Sequence, residues 1–532
     1  MKQLTKTDFI SYLECRNNVW IKWHRFEDYK KFPVSEFEKS LGETGVEVEE
    51  LARRMFPLGY LIERRSEGAQ ELTKKLITEH QPVIFQAVFS TDKYLAATDV
   101  LKWNTAANAY DLYEIKMSSA EEDDEDDQEG KPKKIKKSSG KDKQYEYDLA
   151  FQANVLEMCH VPIHKKYLIR LNKKYKKIGD LDIRLGQLFI DEDKTEAVYK
   201  RMAGAKVEME EAHTYLSSAV APSDHCPCYY KGRSSHCTTF SLSNPGLPPY
   251  TVHDLNRIGN SKRYLKELLD EGILDIGNVP LDDRLKPKKA KEGEKESKPR
   301  KLNQVKVHKS KEPIIDLKAI KIDLGSLKFP LHFLDYETYP SAIPLFNGYH
   351  PYQNIVFQYS LHVLTEEDFK KSHQPKHYEC LLLDGDPAER IVESLRKHIG
   401  DTGTVISWYK KFENSRNREL ANLVPLQSDF LNSVIERTYD LMDIVENQYY
   451  VHHGFKGSSS IKKVQKVLAP DLLYENLVVQ NGTDAIETYR QIFKGELTGT
   501  AAEEKKHQML EYCKYDTEVM YVIWKFFTNL VE

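Results

Sequence analysis

The chain has 532 residues, about three times the length of a typical domain, so two to four domains are expected. Apolar residues make up 40% and charged residues 30%, which excludes a wholly disordered chain, and no run of eighteen apolar residues exists, which excludes a membrane-spanning helix. Lys and Arg total 78 against 82 Asp and Glu, a net charge of -4, so charge alone neither announces nor excludes a nucleic-acid partner. The N-terminal MKQLTKTDFISYLECRNN lacks the apolar stretch of a secretory signal, and a cytoplasmic address is expected. Seven cysteines, an odd number, are too few for a disulfide scaffold of this size.

In chain order, Val46 to Phe56 predicts a helix with Leu51 and Met55 on one face. Three strands are predicted next: VIFQAVF from Val83, YLAATDVLKW from Tyr94 and AYDLYEIK from Ala109. Residues 121–143 open with seven consecutive acids and continue as a Lys-rich run almost free of apolar side chains, which reads as a disordered insertion within the unit. A helix from Tyr145 and a strand from Lys165 complete an α/β unit over residues 1–240. Residues 241–285 read as a small helical segment and the Lys-rich stretch 286–311 as a linker. A second α/β unit over 328–532 has strands at LHFLDYE, NIVFQYSLHVL and TVISWY, an amphipathic helix at AERIVESLRKHI, and a long final helix from Ala501 to Leu530. The fold class is therefore α/β in two units.

The first unit carries Asp99 in its second strand, and Glu114 and Lys116 at the end of its third. Two residues apart on a strand, Glu114 and Lys116 point to one face. Two carboxylates suit a divalent cation through hard oxygen ligands, the cation activates a water against a phosphate, and a lysine steadies the developing charge. A lone E-x-K is otherwise ordinary on an exposed strand. The run from Gly45 to Arg53 (G-x-x-x-E-x-x-A-R), then ATDVL, YEIK and DLAFQANVL, resembles RecB-type PD-(D/E)xK nucleases, relatives of AddB and CRISPR-associated exonucleases. That resemblance implies a restriction-endonuclease-like fold, with Asp99 and Glu114 as metal ligands, Glu49 as a further ligand, Lys116 catalytic and Gln152 at the substrate. The sequence departs from the family in having Glu49 where His is common and Leu156 where the Q-x-x-x-Y pattern ends in Tyr.

Cys226, Cys228 and Cys237 lie together in HCPCYYKGRSSHC, with Cys15 far upstream. The same family includes members closed by a [4Fe-4S] cluster on one N-terminal and three C-terminal cysteines, and these four resemble that plan. His225 and His236 keep Zn2+ open as the alternative, and a site without metal also stands. Cys159, Cys380 and Cys513 read as buried bystanders.

In the second unit, Asp335 and Glu337 share a strand face, Glu413 follows a later strand, and Tyr512 and Asp516 are spaced i, i+4 on one helix. Four acids and a tyrosine suit a two-cation site for phosphodiester hydrolysis. Their order resembles the DEDD exonucleases of the RNase H-like fold that place Tyr four residues before the last Asp. By that resemblance Asp335, Glu337 and Asp516 ligate Mg2+ or Mn2+, Glu413 stands for the usual Asp, Tyr409 stands where Asn is common, and Tyr512 orients water. The aromatic run Tyr349 to Tyr359 suits either base stacking or core packing, and Ser458 to Lys463 either phosphate contact or helix capping. The two halves together resemble a bacterial family that fuses a RecB-type domain to a DEDD-type domain. The expectation is a metal-dependent nuclease with two centres, acting on nucleic acid, DNA before RNA, in repair, recombination or defence. No P-loop is visible, so a helicase partner would be a separate chain. The alternatives are a nucleic-acid-binding protein with only the RecB-type centre active, and a non-catalytic assembly or adaptor protein.

Overall fold

A computed structural model describes residues 2–63, 66–120, 140–287, 297–472 and 482–532. The acidic run and most of the insertion at 121–143 lie outside them, as do residues 288–296 of the Lys-rich stretch. Two compact units are formed: 1–229, 236–245 and 341–353 make the first, and 230–235, 246–340 and 354–532 the second. The fold is mixed α/β, as expected. No helix among the described residues is long and apolar enough to cross a membrane.

The first unit contains β1 (Leu4–Thr5), α1 (Lys6–His24), α2 (Phe26–Tyr29), α3 (Glu36–Arg53), β2 (Tyr60–Leu61), α4 (Ala69–Thr78), β3 (Val83–Ser90), β4 (Tyr94–Asn104), β5 (Ala109–Ala120), α5 (Gly140–Met158), β6 (Ile163–Asn172), β7 (Phe189–Asp193), α6 (Thr195–Ser217) and α7 (Phe240–Ser243). Its seven-stranded sheet runs β2-β3-β4-β5-β6-β7, with β1 added beside β4. One core joins Ile84, Leu101 and Leu112 to apolar residues of α1, α5 and α6, while a second joins Phe85, Tyr113 and Ile169 to Val48, Leu51 and Ala52 of α3. The sheet is thus covered on both faces, which explains why its strands read as apolar runs. Helix α3 begins ten residues before the expected Val46, because Ser35 and Glu38 form a reciprocal capping box. Strand β5 continues to Ala120, so Glu114 and Lys116 sit within the strand and do not end it. Residues 140–143, expected to be part of the disordered insertion, open α5. Residues 341–353 are bound into this unit by hydrogen bonds: the Lys177 N–H donates to the Tyr349 carbonyl (3.0 Å), the Gly348 N–H to the Lys177 carbonyl (2.8 Å), and the Tyr352 hydroxyl to the Met117 carbonyl (2.5 Å).

The second unit contains α8 (Lys262–Asp270), α9 (Arg300–Ser310), β8 (Ile314–Ile315), α10 (Leu317–Leu324), β9 (Leu331–Pro340), β10 (Asn354–Leu364), α11 (Glu366–Lys370), β11 (Lys376–Leu381), α12 (Ala388–Ile399), β12 (Thr404–Ser407), α13 (Lys410–Leu423), α14 (Ser428–Glu436), β13 (Thr438–Asp440), α15 (Asp443–Glu446), β14 (Tyr450–Val451), α16 (Ile461–Leu468), α17 (Gly482–Phe493) and α18 (Gly499–Val531). Its main sheet runs β11-β10-β9-β12-β13, antiparallel on the β10 side and parallel from β9 to β13. Leu331 and Phe333 face a core with Val519, Ile523 and Phe527 of α18, while Leu334 and Tyr336 face one with Ile391, Val392 and Leu395 of α12. The expected linker at 286–311 is corrected in part: residues 300–310 are helix α9. Val305 and Val307 are buried there, and the Gln304 side chain donates to the Tyr250 hydroxyl (2.6 Å) and accepts from the Asn256 N–H (2.7 Å). Tyr349, Phe357 and Tyr359 are each almost wholly buried, so packing, not base stacking, is their role.

Candidate functional site

In the first unit the β3–β4 ladder is interrupted at one point. Pairing runs through Phe85↔Val100 and resumes at Ala87↔Thr98, leaving Gln86 and Asp99 outside it. Side-chain alternation slips on both strands there, since Ile84 and Ala87 face the same core, as do Ala96 and Leu101. Gln86 takes a left-handed backbone (φ 57°), unusual for a residue with a side chain and the kind of strain that gathers at functional positions. Its buried amide reaches Glu49 Oε1 at 2.5 Å and Asp99 Oδ1 at 3.5 Å, joining a carboxylate from α3 to one from β4. The β4–β5 ladder also stops, at Val100↔Tyr113, and Asp99 Oδ2 instead accepts the Ile115 N–H (2.8 Å).

Glu114 lies against these groups. Its Oε1 receives both Lys116 Nζ (2.8 Å) and Lys6 Nζ (2.6 Å), and its Oε2 receives the Gln152 amide (2.6 Å). Lys116 also binds Asp148 Oδ2 at 2.5 Å. Burial works against the Glu114 charge, but the Lys116 and Lys6 ammoniums outweigh it and hold the carboxyl down at about 2. Burial, with the Glu114 charge added, pushes Asp99 up to about 7. The two acids are thus driven apart in proton affinity, the pattern expected where two carboxylates have different tasks. Burial lowers the affinity of Lys116 for its proton, yet Glu114 and Asp148 overcome this and hold it above the ordinary lysine range, so Lys116 stays a cation. The wholly buried Gln152 leaves its Oε1 without a hydrogen-bond partner among the described residues. Glu49, Asp99, Glu114, Lys116 and Gln152 are therefore neighbours, although the three carboxylates do not form a group whose oxygens all lie within 4.8 Å. Gln152 braces Glu114 and does not point to open space. Lys6, Gln86 and Asp148 were missed, because their partners are 13 to 108 residues away and no local spacing marks them.

The four cysteines meet as expected. The sulfurs of Cys15, Cys226, Cys228 and Cys237 all lie within 4.8 Å of one another. Cys15 breaks the helical backbone of α1 (φ -159°, ψ 99°). The Asn244 amide donates to Cys226 Sγ (3.3 Å) and accepts from His225 Nδ1 (2.8 Å). His225 stacks on Tyr229 and His236 on Phe240, and neither belongs to the group of close ligand atoms. Hydrogen bonding from Cys15, Cys228 and Cys237 holds Cys226 well below the ordinary thiol range, and bonds from Cys15 and Cys237, opposed by Cys226, hold Cys228 at about 7, while Cys15 and Cys237 are themselves pushed up. Four such thiols cannot all ionise without a cation among them.

In the second unit, Asp335 and Glu337 sit within β9, continuing the face of Leu331 and Phe333 toward α18; the strand ends later than expected, at Pro340. Opposite them in the ladder stand Ser360 and Gln358 of β10. Gln358 donates to the Met509 carbonyl (2.9 Å), and Ser360 shares a hydrogen bond with Thr517 Oγ1 (2.8 Å), which also meets His362 Nδ1 (2.8 Å). These bonds fix α18 over β9, and with it Tyr512 and Asp516. Glu413 is in the first turn of α13, whose N-cap Tyr409 is left-handed (φ 80°) with an exposed side chain. Asp440 holds that turn by accepting the Tyr409 and Lys410 N–H groups (2.9 and 3.0 Å), a positioning role the sequence did not reveal.

Burial pushes Asp335 far up, with Asp516, Glu413 and Glu337 adding to it. It pushes Glu337 and Glu413 each up to about 8, the Asp516 charge contributing to both. The charges of the four acids therefore act on one another, although Glu413 and Asp516 do not join Asp335 and Glu337 in a group whose ligand atoms all lie within 4.8 Å. Among the described residues Glu413 Oε2 is buried without a hydrogen-bond partner, and Arg416 and Lys462 only partly oppose the rise at Glu413 and Glu337; a cluster of buried carboxylates is the kind of oxygen donor set that suits a divalent cation. Lys462 lies 5.4 Å from the Tyr512 ring centroid and its charge opposes the rise at Glu337. The Ser459 carbonyl just before α16 is held by the Trp408 indole N–H (3.0 Å). Cys513 is buried, as expected, and its sulfur lies 3.9 Å from Asp335 Oδ2, close enough to group with Asp335 and Glu337, a proximity the sequence did not reveal.

These pKa directions set a pH dependence. Glu337 and Glu413 retain protons in the folded protein up to about 8 that an unfolded chain releases near 4.5. The folded state binds more protons in that window, so without a divalent ion its stability falls as pH rises from about 5 to 8. Thermal melts in chelator should decline across that range, and added Mn2+ should restore most at the alkaline end, where the carboxylates are ionised. A metal-induced gain that does not change with pH would contradict the assignment.

A family described as "Domain of unknown function (DUF2779)" matches residues 332–460, a span that includes Asp335, Glu337 and Glu413 and stops short of Tyr512 and Asp516. The chain is 27% identical over 222 residues to "Uncharacterized protein MG366" of Mycoplasma genitalium, covering 39% of this chain and 33% of that protein. It is 27% identical over 214 residues to the "Uncharacterized protein MG366 homolog" of Mycoplasma pneumoniae, covering 37% and 32%. The chain thus spans about a third of the length of these curated relatives. No solved structure matches it significantly.

Proposed function

We propose that this protein is a metal-dependent nuclease with two catalytic centres, one in each unit: a PD-(D/E)xK centre of RecB type and a DEDD-type centre of RNase H-like architecture. The observation that carries the reading is that acids distant in sequence converge, buried, in each unit beside the cation or tyrosine that phosphodiester hydrolysis uses. In the first unit Asp99 and Glu114 would hold Mg2+ or Mn2+, with Glu49 behind them. In the second, Asp335, Glu337, Glu413 and Asp516 would do so. Bound there, the ion supplies Lewis-acid stabilisation of the phosphate and a more acidic water. Lys116, kept charged between Glu114 and Asp148, serves as a fixed cation for the developing negative charge and not as a base. Gln152 holds Glu114 in place. The Tyr512 hydroxyl orients water in the second pocket. The Glu413 charge adds to the rise at Asp335 and Glu337, which supports reading Glu413 in the place of the usual aspartate.

The four cysteines form a metal centre that clasps the N-terminal helix to residues 226–237. Their sulfur separation suits one tetrahedral ion, whose thiolates stand about 3.8 Å apart at a metal–sulfur distance of about 2.3 Å. A four-iron core interposes its own atoms and needs the thiolates spread further. The family resemblance points to [4Fe-4S] and the spacing to Zn2+. Iron, sulfide and absorbance near about 400 nm in anaerobically purified protein identify the first, and one equivalent of zinc in a colourless protein the second.

Glu114→Gln and Asp516→Asn, assayed separately on labelled single-stranded DNA and RNA with Mn2+, should each remove a distinct part of the cleavage. If neither substitution alters degradation, both centres are misassigned. DNA is the expected substrate, in repair, recombination or defence, within the cytoplasm.

A further inference from the structure

Lys6 is the first residue of α1, and the sheet explains why it stands where it does. Beyond Val100↔Tyr113 strand β5 leaves β4, and β1 takes a place beside β4 through Leu4↔Tyr94 and Thr5↔Leu95. The residue after Thr5 therefore enters the gap that the departing strand opens. Leu4 is fully buried, and Thr5 is locked to Asp8, its hydroxyl accepting the Asp8 N–H (3.2 Å) and donating to Asp8 Oδ2 (2.9 Å). The Lys6 ammonium reaches Glu114 Oε1 at 2.6 Å, the same oxygen that Lys116 occupies at 2.8 Å, while Gln152 holds Oε2. Two ammoniums fill the acceptor positions of Oε1, so a divalent ion that binds Glu114 through this oxygen displaces one of them. Lys116 remains anchored by Asp148 at 2.5 Å. Among the described residues Lys6 has no second carboxylate within ion-pair distance, so it is the ammonium left open to another anion when an ion takes Oε1.

We propose that Lys6 is a second substrate-binding cation of the first centre: it neutralises Glu114 before the metal binds and then moves to the phosphate backbone of the nucleic acid. This rests on the nuclease reading of that centre. A single side chain then has opposite effects on two ligands. It competes with the divalent ion for Glu114, and it strengthens the hold on an anionic substrate.

Lys6→Met, Lys6→Arg and Lys116→Met are compared in an Asp516→Asn background, so that only the first centre cleaves. Mn2+ binding is measured without nucleic acid by calorimetry, and kcat and KM on a single-stranded oligonucleotide. Lys6→Met should bind Mn2+ several-fold more tightly and raise KM about tenfold, the loss expected for one charge-assisted contact. Lys6→Arg should restore KM substantially. Unchanged KM in Lys6→Met, or weaker Mn2+ binding with a lower melting temperature and no rescue by Arg, overturns the proposal, the latter result making Lys6 a strut for Glu114. If adding Glu114→Gln to the same background leaves cleavage intact, the nuclease reading of this centre fails. If Glu114→Gln abolishes cleavage while Lys6→Met changes neither ligand's binding, only the role of Lys6 fails.

Discussion

Glu114→Gln is expected to reduce first-centre cleavage at least about a thousandfold, a loss of roughly 4 kcal/mol of transition-state stabilisation. The substitution keeps the shape of the side chain and removes the charge on which the site depends. Glu114 is the acid held at about 2 while Asp99 is pushed up to about 7, so near neutral pH it is the proposed ligand already ionised. It also unites Lys6, Lys116 and Gln152 on one carboxylate. Initial rates at saturating Mn2+ in an Asp516→Asn background measure the effect, with a thermal melt to show that the unit remains folded. Activity within a fewfold of the parent would mean that Glu114 is a structural acid neutralised by two lysines. Asp148→Asn should be milder, since Lys116 keeps Glu114 as a partner.

Cys226→Ser should have the largest effect on stability. Cys15 lies in α1 and the other three thiols lie more than two hundred residues later, so the proposed metal at their centre would close a long loop. Serine removes one ligand of four, and the metal's binding free energy is folding free energy in such sites. A loss of several kcal/mol, at about 2 to 4 °C per kcal/mol for a unit of this size, lowers its melting temperature by on the order of 10 °C. Metal content and melting should change together, and a strong chelator or an oxidant should reproduce the change in the parent protein. A variant that melts with the parent would show the four thiols to be packing groups. Asn244→Ala, which removes the amide bonded to Cys226, should give a smaller drop in the same direction.

The sequence made much of the secondary structure and most of the acids legible. Strand β10 and helix α12 occupy the expected residues because each has a clean apolar period and clear boundaries. Helix α9 was hidden because it buries Asn303 and Gln304 as well as Val305 and Val307, so its composition is that of a charged spacer while hydrogen bonds make its inner face. Lys6, Gln86 and Asp148 were invisible for a related reason. Lys6 depends on a two-residue strand, Gln86 on an interruption of a ladder, and Asp148 on the crossing of α5 over β5, and none of these leaves a local spacing. Cys513 was read from its apolar surroundings alone, and only the register of α18 against β9 places its sulfur beside Asp335. The interior ends of β5 and β9 were misplaced because both strands run on past their acids into polar residues.

The first unit is not a continuous stretch of chain, since it includes residues 341–353. During synthesis it therefore cannot finish folding until the ribosome has passed that point, well into the other unit, and its earlier part must wait with the Lys177 backbone and the Met117 carbonyl unmatched. Any attempt to express the two halves separately meets the same constraint: a cut at the apparent boundary before residue 250 strips the first unit of a segment it needs, and deleting the β9–β10 connection to simplify the second does so as well.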